Sequence, residues 1–160
     1  MTVMVRRAGR RDLSELQTLW EQLREIETKA DPRLALSTGA DRFVAEHREV
    51  ILADPRSALF VAENQGDLVG YLHAQIDPND PIYARERYGT VVDLFVSESH
   101  RRQGVGSQLL HYCREWFEGQ NLSEYRVATS VHNPAAQKFF EHHGALPLTV
   151  LQAAPLDEAD

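Results

Sequence analysis

Leu13, Leu16, Leu19, Trp20, Leu23 and Ile26 recur at three- and four-residue spacing, with mostly polar residues between them. Such a stripe marks one face of a helix, and Asp12 followed by Glu15 reads as a capping-box-like start. Upstream, residues 3–8 are expected to form a first strand. Residues 31–39 read as a loop. A second helix is predicted over 41–52, carrying Phe43, Val44, His47 and Ile51 and ending ahead of Pro55. Two strands, 58–63 and 68–76, flank Asn64-Gln65-Gly66-Asp67, a hairpin by its turn residues. Residues 77–89 hold two prolines and several charges and are read as a mobile loop. Residues 91–96 are β-branched and aromatic enough for a buried strand. From Val105 the apolar spacing turns helical, through Leu109, Cys113, Trp116 and Phe117. A strand over 127–131, a helix after Asn133 and a last strand over 145–152 complete the predicted order.

The chain has 160 residues, a length for one domain, with 42% hydrophobic and 26% charged residues, ordinary for a soluble globular protein. No apolar run approaches the roughly 20 residues that span a bilayer, and no signal-like segment opens the chain, so no membrane partner is expected. One cysteine, Cys113, excludes an internal disulfide and favours a reducing, cytoplasmic setting. It falls on the apolar face of its helix, as a core residue does. Seventeen basic against 24 acidic residues give a net charge of −7, which argues against nucleic acid and for a cationic acceptor. No His, Cys, Asp or Glu cluster has metal-ligand spacing, so no metal is expected.

Candidate chemistry begins between the strand at 91–96 and the helix at Val105. There Arg101-Arg102-Gln103-Gly104-Val105-Gly106 brings two glycines without a Cβ to a helix N-terminus, whose unpaired N–H groups and partial positive charge suit an anion, phosphate above all. A P-loop needs Lys-Ser/Thr after its second glycine, where this chain has Ser107-Gln108, and Rossmann spacing needs a small residue where Leu109 stands. What remains is Arg-x-x-Gly-x-Gly after a strand; a plain glycine-bearing turn with surface arginines is the bland alternative. A second segment follows: Asn133 is a strong N-cap and Pro134 suits the first helical position. Ala136, Phe139, Phe140 and His143 fall on one face, and Gly144 is placed to stop the helix.

Together the two segments resemble the coenzyme A motifs of the GNAT superfamily of acyl-CoA-dependent N-acetyltransferases. The resemblance runs from Met1 to about Leu151, with a motif core at about 89–151 and an acidic tail at 155–160. It implies a single α/β (α+β) domain: a central mixed, mostly antiparallel sheet of six to seven strands, with about four helices packed on both faces. It implies acetyl-CoA as co-substrate. Its pantetheine would lie along the backbone of Leu94, Phe95 and Val96 and beside Asn133 and Ala136. Its pyrophosphate would sit on the amides of Arg102, Gln103, Gly104, Val105, Gly106 and Ser107, with Arg101 adding charge. The acceptor, a primary amine on a small molecule or a protein, would attack the thioester directly in a ternary complex. Many relatives form homodimers.

The chain departs from the family pattern at two points. Phe140 stands where many relatives carry the tyrosine that protonates the departing thiolate. The Glu that polyamine-acetylating members carry where Val92 stands, and the Glu that ribosomal-protein N-terminal acetyltransferases carry near Ala128, are also absent. Asp93 is then the remaining acidic residue inside a strand, and is expected either to handle the amine and its proton or to make a structural ion pair. Glu25, Glu27 and Asp31 end the first helix, where relatives build the acceptor wall; Glu27 and, from the 77–89 loop, Tyr88 and Tyr83 are the substrate candidates. His132 is a weaker candidate for the base than Asp93, and His142 and His143 suit a helix end without chemistry. The competing possibility is a non-catalytic acyl-CoA-binding regulatory module with the same fold.

Overall fold

A computed structural model describes residues 2–157, which fall into two compact units divided after Ala128. The first unit holds five strands: β1 (Met4–Arg7), β2 (Ser57–Asn64), β3 (Asp67–Pro78), β4 (Arg87–Val96) and β5 (Tyr125–Val127). They lie side by side in sequence order. The first three pairings are antiparallel and β4–β5 is parallel. The sheet is therefore mixed and mostly antiparallel, as expected, with five strands among the described residues instead of six or seven.

The differences lie where sequence period had no partner to act on. The strand expected at 127–131 is instead Tyr125–Val127, aligned by Gly89↔Tyr125 and Val91↔Val127. Residues 145–152 keep their alternation of apolar side chains but form no strand, because period marks a face and not a ladder partner. The expected loop at 77–89 shrinks to 79–86, since Asp77↔Tyr88 and Pro78↔Arg87 extend the hairpin. Pro78 sits at the very end of its strand, where a missing N–H interrupts little.

Three helices belong to this unit: α1 (Leu13–Ala30), α2 (Ala40–Ala53) and α3 (Val105–Gly119). Leu16, Leu19, Trp20 and Leu23 of α1 form a buried cluster with Leu59, Val61, Leu68, Tyr71 and Phe95 of the sheet. The start of α1 is not a capping box. The Asp12 carboxylate accepts from Arg6 at 2.8 and 2.9 Å and from the Gly9 amide at 2.8 Å, while Glu15 accepts from the Leu68 amide at 3.0 Å. Both carboxylates thus tie the helix start to the sheet.

Alternation along the strands sends the other side chains to α3, which buries Val105, Leu109, Leu110, Cys113 and Phe117. Two glycines permit that contact. A Cβ on Gly89 would stand 2.5 Å from the Phe117 ring, and one on Gly70 would stand 2.8 Å from the Phe95 carbonyl. Burial pushes the Cys113 thiol up to about 12, so it packs and does not react. No helix among the described residues is long and apolar enough to cross a membrane.

The second unit, from Thr129 on, contains α4 (Pro134–His142). Its N-cap is Asn133, whose side chain accepts from the Ala136 amide at 3.1 Å, and Pro134 opens the helix. Gly144, at φ +93°, takes the left-handed conformation that ends it. Phe139 and Phe140 meet edge to face at 5.1 Å.

Candidate active site

The turn from β4 into α3 leaves backbone donors open. Arg102 and Gly104 both adopt positive φ, +60° and +81°. Gly104 is the N-cap of α3 and has open space where a Cβ would be. The Arg101 amide is bonded to Glu98 at 3.3 Å and the Gln108 amide to Gly104 at 3.0 Å, and among the described residues no backbone acceptor takes the amides of residues 102–106. The amides between include the first turn of α3, which no helix can satisfy internally. Left-handed residues within such a turn aim successive N–H groups into one concavity. Such a cradle suits an anion. Arg101 is used differently from expectation: its Nε donates to the Val96 carbonyl at 2.9 Å, and its guanidinium lies 5.6 Å from the Phe95 ring. It braces the end of β4.

Ahead of the cradle, β4 changes character. His73 pairs with Asp93 and Ala74 with Val91, which leaves Val92 as the extra residue of a bulge. A bulge bends its strand and re-aims the side chains beyond it. On the far edge, β5 accompanies β4 only over Gly89–Val91. From Val92 to Val96, the run containing Leu94 and Phe95, that edge has no strand partner among the described residues. An extended amide-bearing chain can add itself there by backbone hydrogen bonds, and the open edge runs directly into the glycine cradle.

On the α1 side of β3 and β4, the apolar cluster gives way to polar groups. The Asp93 carboxylate is bonded by the Arg24 guanidinium and, at 3.1 Å, by the Tyr71 hydroxyl. Arg24 also pairs with Glu27 at 2.6 Å. Burial works against the charge on Arg24, yet Asp93 and Glu27 outweigh it and raise its affinity for a proton. Burial also raises the Glu27 carboxyl, with Arg24 opposing and Asp93 reinforcing. His73 lies directly across the ladder from Asp93, and its buried Nε2 has no hydrogen-bond partner. Burial holds this imidazole below its ordinary range, Asp93 pulls the other way, and Arg48 and His47 of α2 add to the lowering. It is therefore a neutral ring at neutral pH. Further along the same faces, Thr90 and Gln75 both donate to Asp77.

The candidate residues thus separate. Asp93 and Glu27 share one cluster through Arg24. Tyr88 lies in β4 and not in a loop, with the Arg126 guanidinium 3.9 Å from its ring centre. Tyr83 is exposed beyond the strand ends. Glu25 pairs with Lys29 on the helix surface and Asp31 with Arg33, so both belong to the helix end. Arg24, Tyr71 and His73 were not anticipated. Tyr71, His73 and Gln75 alternate along the predicted strand, which was the available signal: polar atoms on one face of an otherwise apolar run.

The profile of the acetyltransferase (GNAT) family matches residues 20–145. N-acetyltransferase family 8 member 3 of Rattus norvegicus is 30% identical over 101 residues, 63% of this chain and 43% of that protein. Aminoglycoside N(6')-acetyltransferase type 1 of Klebsiella aerogenes is 32% identical over 97 residues, 58% of this chain and 61% of that one. The matches cover less than two thirds of either relative. The structure of AAC(6')-Iy in complex with the bisubstrate analogue CoA-S-monomethyl-acetylneamine has the same fold, with a TM-score of 0.74 at 20% identity, covering 98% of this chain and 99% of that one.

Proposed function

We propose that this chain, which belongs to the acetyltransferase (GNAT) family, transfers the acetyl group of acetyl-CoA to a primary amine within a ternary complex. The observation that carries this reading is the unpartnered edge of β4 leading into the Gly104 cradle. Pantetheine would bond to the backbone of Leu94, Phe95 and Val96. Pyrophosphate would take the amides of Arg102 to Ser107, and Asn133 and Ala136 would contribute from the second motif. Acetyl-CoA supplies a thioester, whose carbonyl the strand amides can polarise.

An acceptor amine arrives protonated at neutral pH. Asp93, with Glu27 beyond Arg24, offers negative charge to it, and Tyr71 and Arg24 hold that carboxylate in place. Neutral His73, with a free Nε2, is the group able to take the proton. The nitrogen lone pair then forms the C–N bond as the C–S bond breaks; the thiolate leaves with its electron pair and takes up the second proton that the acylated nitrogen releases, giving the amide and the free thiol. A thiol near pKa 8.5 leaves without an acid, so Phe140 in the family's tyrosine place is compatible with turnover. Tyr88 under Arg126 and the Asp77–Thr90 pair extend the acceptor face. Its charge suits a small cationic amine, as the aminoglycoside enzyme among the relatives handles. The buried Cys113 accords with a cytoplasmic, reducing setting.

Phe140 is also the observation favouring a module that binds acyl-CoA without turnover. Calorimetry with acetyl-CoA, followed by mass spectrometry of an amine panel incubated with it, separates the two. Binding with an acetylated product supports transfer. Binding with no product supports the module, and no binding removes both.

A further inference from the structure

Arg48, 5% exposed, is the one buried residue of α2, a helix whose apolar Phe43 and Val50 face water. A buried guanidinium is almost always paired. Other arginines of this chain follow the rule: Arg24 reaches both Asp93 and Glu27, and Arg6 both Asp12 and Glu63. Arg48 has no carboxylate partner among the described residues. Its Nη1 donates to the neutral side chain of Gln17 at 2.6 Å. Gln17 is itself fixed, with Nε2 donating to the Asp41 carbonyl at 3.1 Å. With Nη1 committed, the Nε–Nη2 edge of Arg48 is left over. That edge is not sealed: among the described residues, the buried nitrogens left unbonded belong to Arg24 and His73. It is the edge that grips a carboxylate side-on. Arg33 shows the grip in this molecule, its Nε 2.9 Å and its Nη2 2.6 Å from the two oxygens of Asp31.

The groups that feel Arg48 are those of the polar cluster. Burial lowers its affinity for a proton, and Tyr71, Asp93 and Glu21 oppose that without making it up. Arg48 acts in turn on Tyr71 and His73. The cluster therefore has two unlike halves. Asp93 and Glu27 draw an ammonium, and Arg48 is a positive charge short of a counter-charge.

We propose that Arg48 receives a carboxylate carried by the acceptor itself, so that the acceptor is an amino acid or a similar small amine bearing a carboxylate, with its ammonium toward Asp93. This rests on reading the polar cluster as the acceptor site. One ligand then answers both charges, which a simple polyamine cannot do. Arg48 selects and orients the acceptor, and Gln17 positions Arg48 by occupying the one nitrogen that the grip does not use.

The test supplies the wild-type chain with acetyl-CoA and matched pairs, each an amino acid and the amine it becomes without its carboxylate: lysine with cadaverine, and leucine with isopentylamine. The amino acid is expected to show a kcat/KM roughly 10–100-fold above its partner, the scale of a charge-assisted pair. Arg48→Gln should erase that preference by lowering the amino acid, with the decarboxylated amine scarcely affected. Arg48→Lys should restore only part of it, because an ammonium cannot grip side-on. Equal use of both members by the wild type, or equal loss of both in Arg48→Gln, overturns the proposal. Binding is read separately on the wild type saturated with coenzyme A, from the Nε–H magnetic resonance signal of Arg48 in protein carrying isotope-labelled arginine, assigned by its absence in Arg48→Lys. A shift on titration with the amino acid and not with its amine supports the carboxylate subsite even where no acetyl group is transferred, an outcome that removes the transfer reading alone. No shift with either amino acid overturns the proposal.

Discussion

The cradle after β4 is built from the backbone of one short run, while the polar cluster beside α1 gathers Arg24, Tyr71, His73 and Asp93 from α1, β3 and β4. Arg24 and Asp93, now bonded, stand 69 positions apart in the sequence. On the first side geometry comes from local dihedrals, with Gly104 and Arg102 at positive φ. On the second it comes from packing, with a buried carboxylate held by an arginine and a tyrosine. Backbone cradles recognise what every acyl-CoA shares, and side-chain clusters can change with the amine. The two sides should therefore fail separately when mutated.

The largest effect is expected from Gly104→Val. A β-branched residue at φ +81° is strained and would fill the cradle. Losing two bonds to a charged group, about 1.5–3 kcal/mol each, weakens acetyl-CoA binding by roughly 10²–10⁴-fold in calorimetry, with the fold checked by circular dichroism. An unchanged affinity would place the pyrophosphate elsewhere. Next is Asp93→Asn, which keeps shape and removes charge. It should lower kcat/KM for a cationic amine by roughly 10²-fold, the scale of a lost buried charge contact, while the acetyl-CoA Kd stays within about twofold. Loss of acetyl-CoA binding as well would break the separation.

His73→Gln sharpens the assignment of the proton acceptor. Turnover should fall by at least ~10²-fold, the usual lower bound for a positioned base, and the acid limb of the pH–kcat/KM profile should disappear. That limb lies below the imidazole's ordinary 6.5 in the wild type, since burial lowers it. The same shift has a stability consequence. A folded-state value below the unfolded one means that the unfolded chain binds the proton more readily. Stability is therefore undiminished above 6.5 and falls as pH drops through and below it. Thermal unfolding of His73→Gln should show a shallower acid decline; an unchanged slope would mean that His73 does not titrate there. The smallest effect belongs to Phe140→Tyr, expected to raise turnover by no more than about tenfold because a thiolate is already a fair leaving group. No change would show that no acid is needed.

The same contrast explains what the sequence disclosed. The strand before the cradle, the helix at Val105 and the Asn133 cap were legible because each is decided within a few residues by period, glycine and capping chemistry. Asp93 was visible as an anomaly, a carboxylate in an apolar strand, but not its partners, since α1 and β4 meet only in the fold. Asp12 and Glu15 had capping spacing and were captured by Arg6 and the Leu68 amide. The bulge at Val92 leaves no mark in composition, yet it shifts the register between His73↔Asp93 and Ala74↔Val91. Residues 145–152 had the period of a strand and form none, because alternation alone does not supply a pairing partner.

The most direct measurement is release of free coenzyme A from acetyl-CoA by the wild-type chain, followed with a thiol reagent at pH 7.5 against a panel of small cationic amines. The account predicts release that depends on the amine, saturates with it, and is lost in Asp93→Asn while acetyl-CoA still binds. Acetyl-CoA binding with no amine-dependent release across the panel would contradict it.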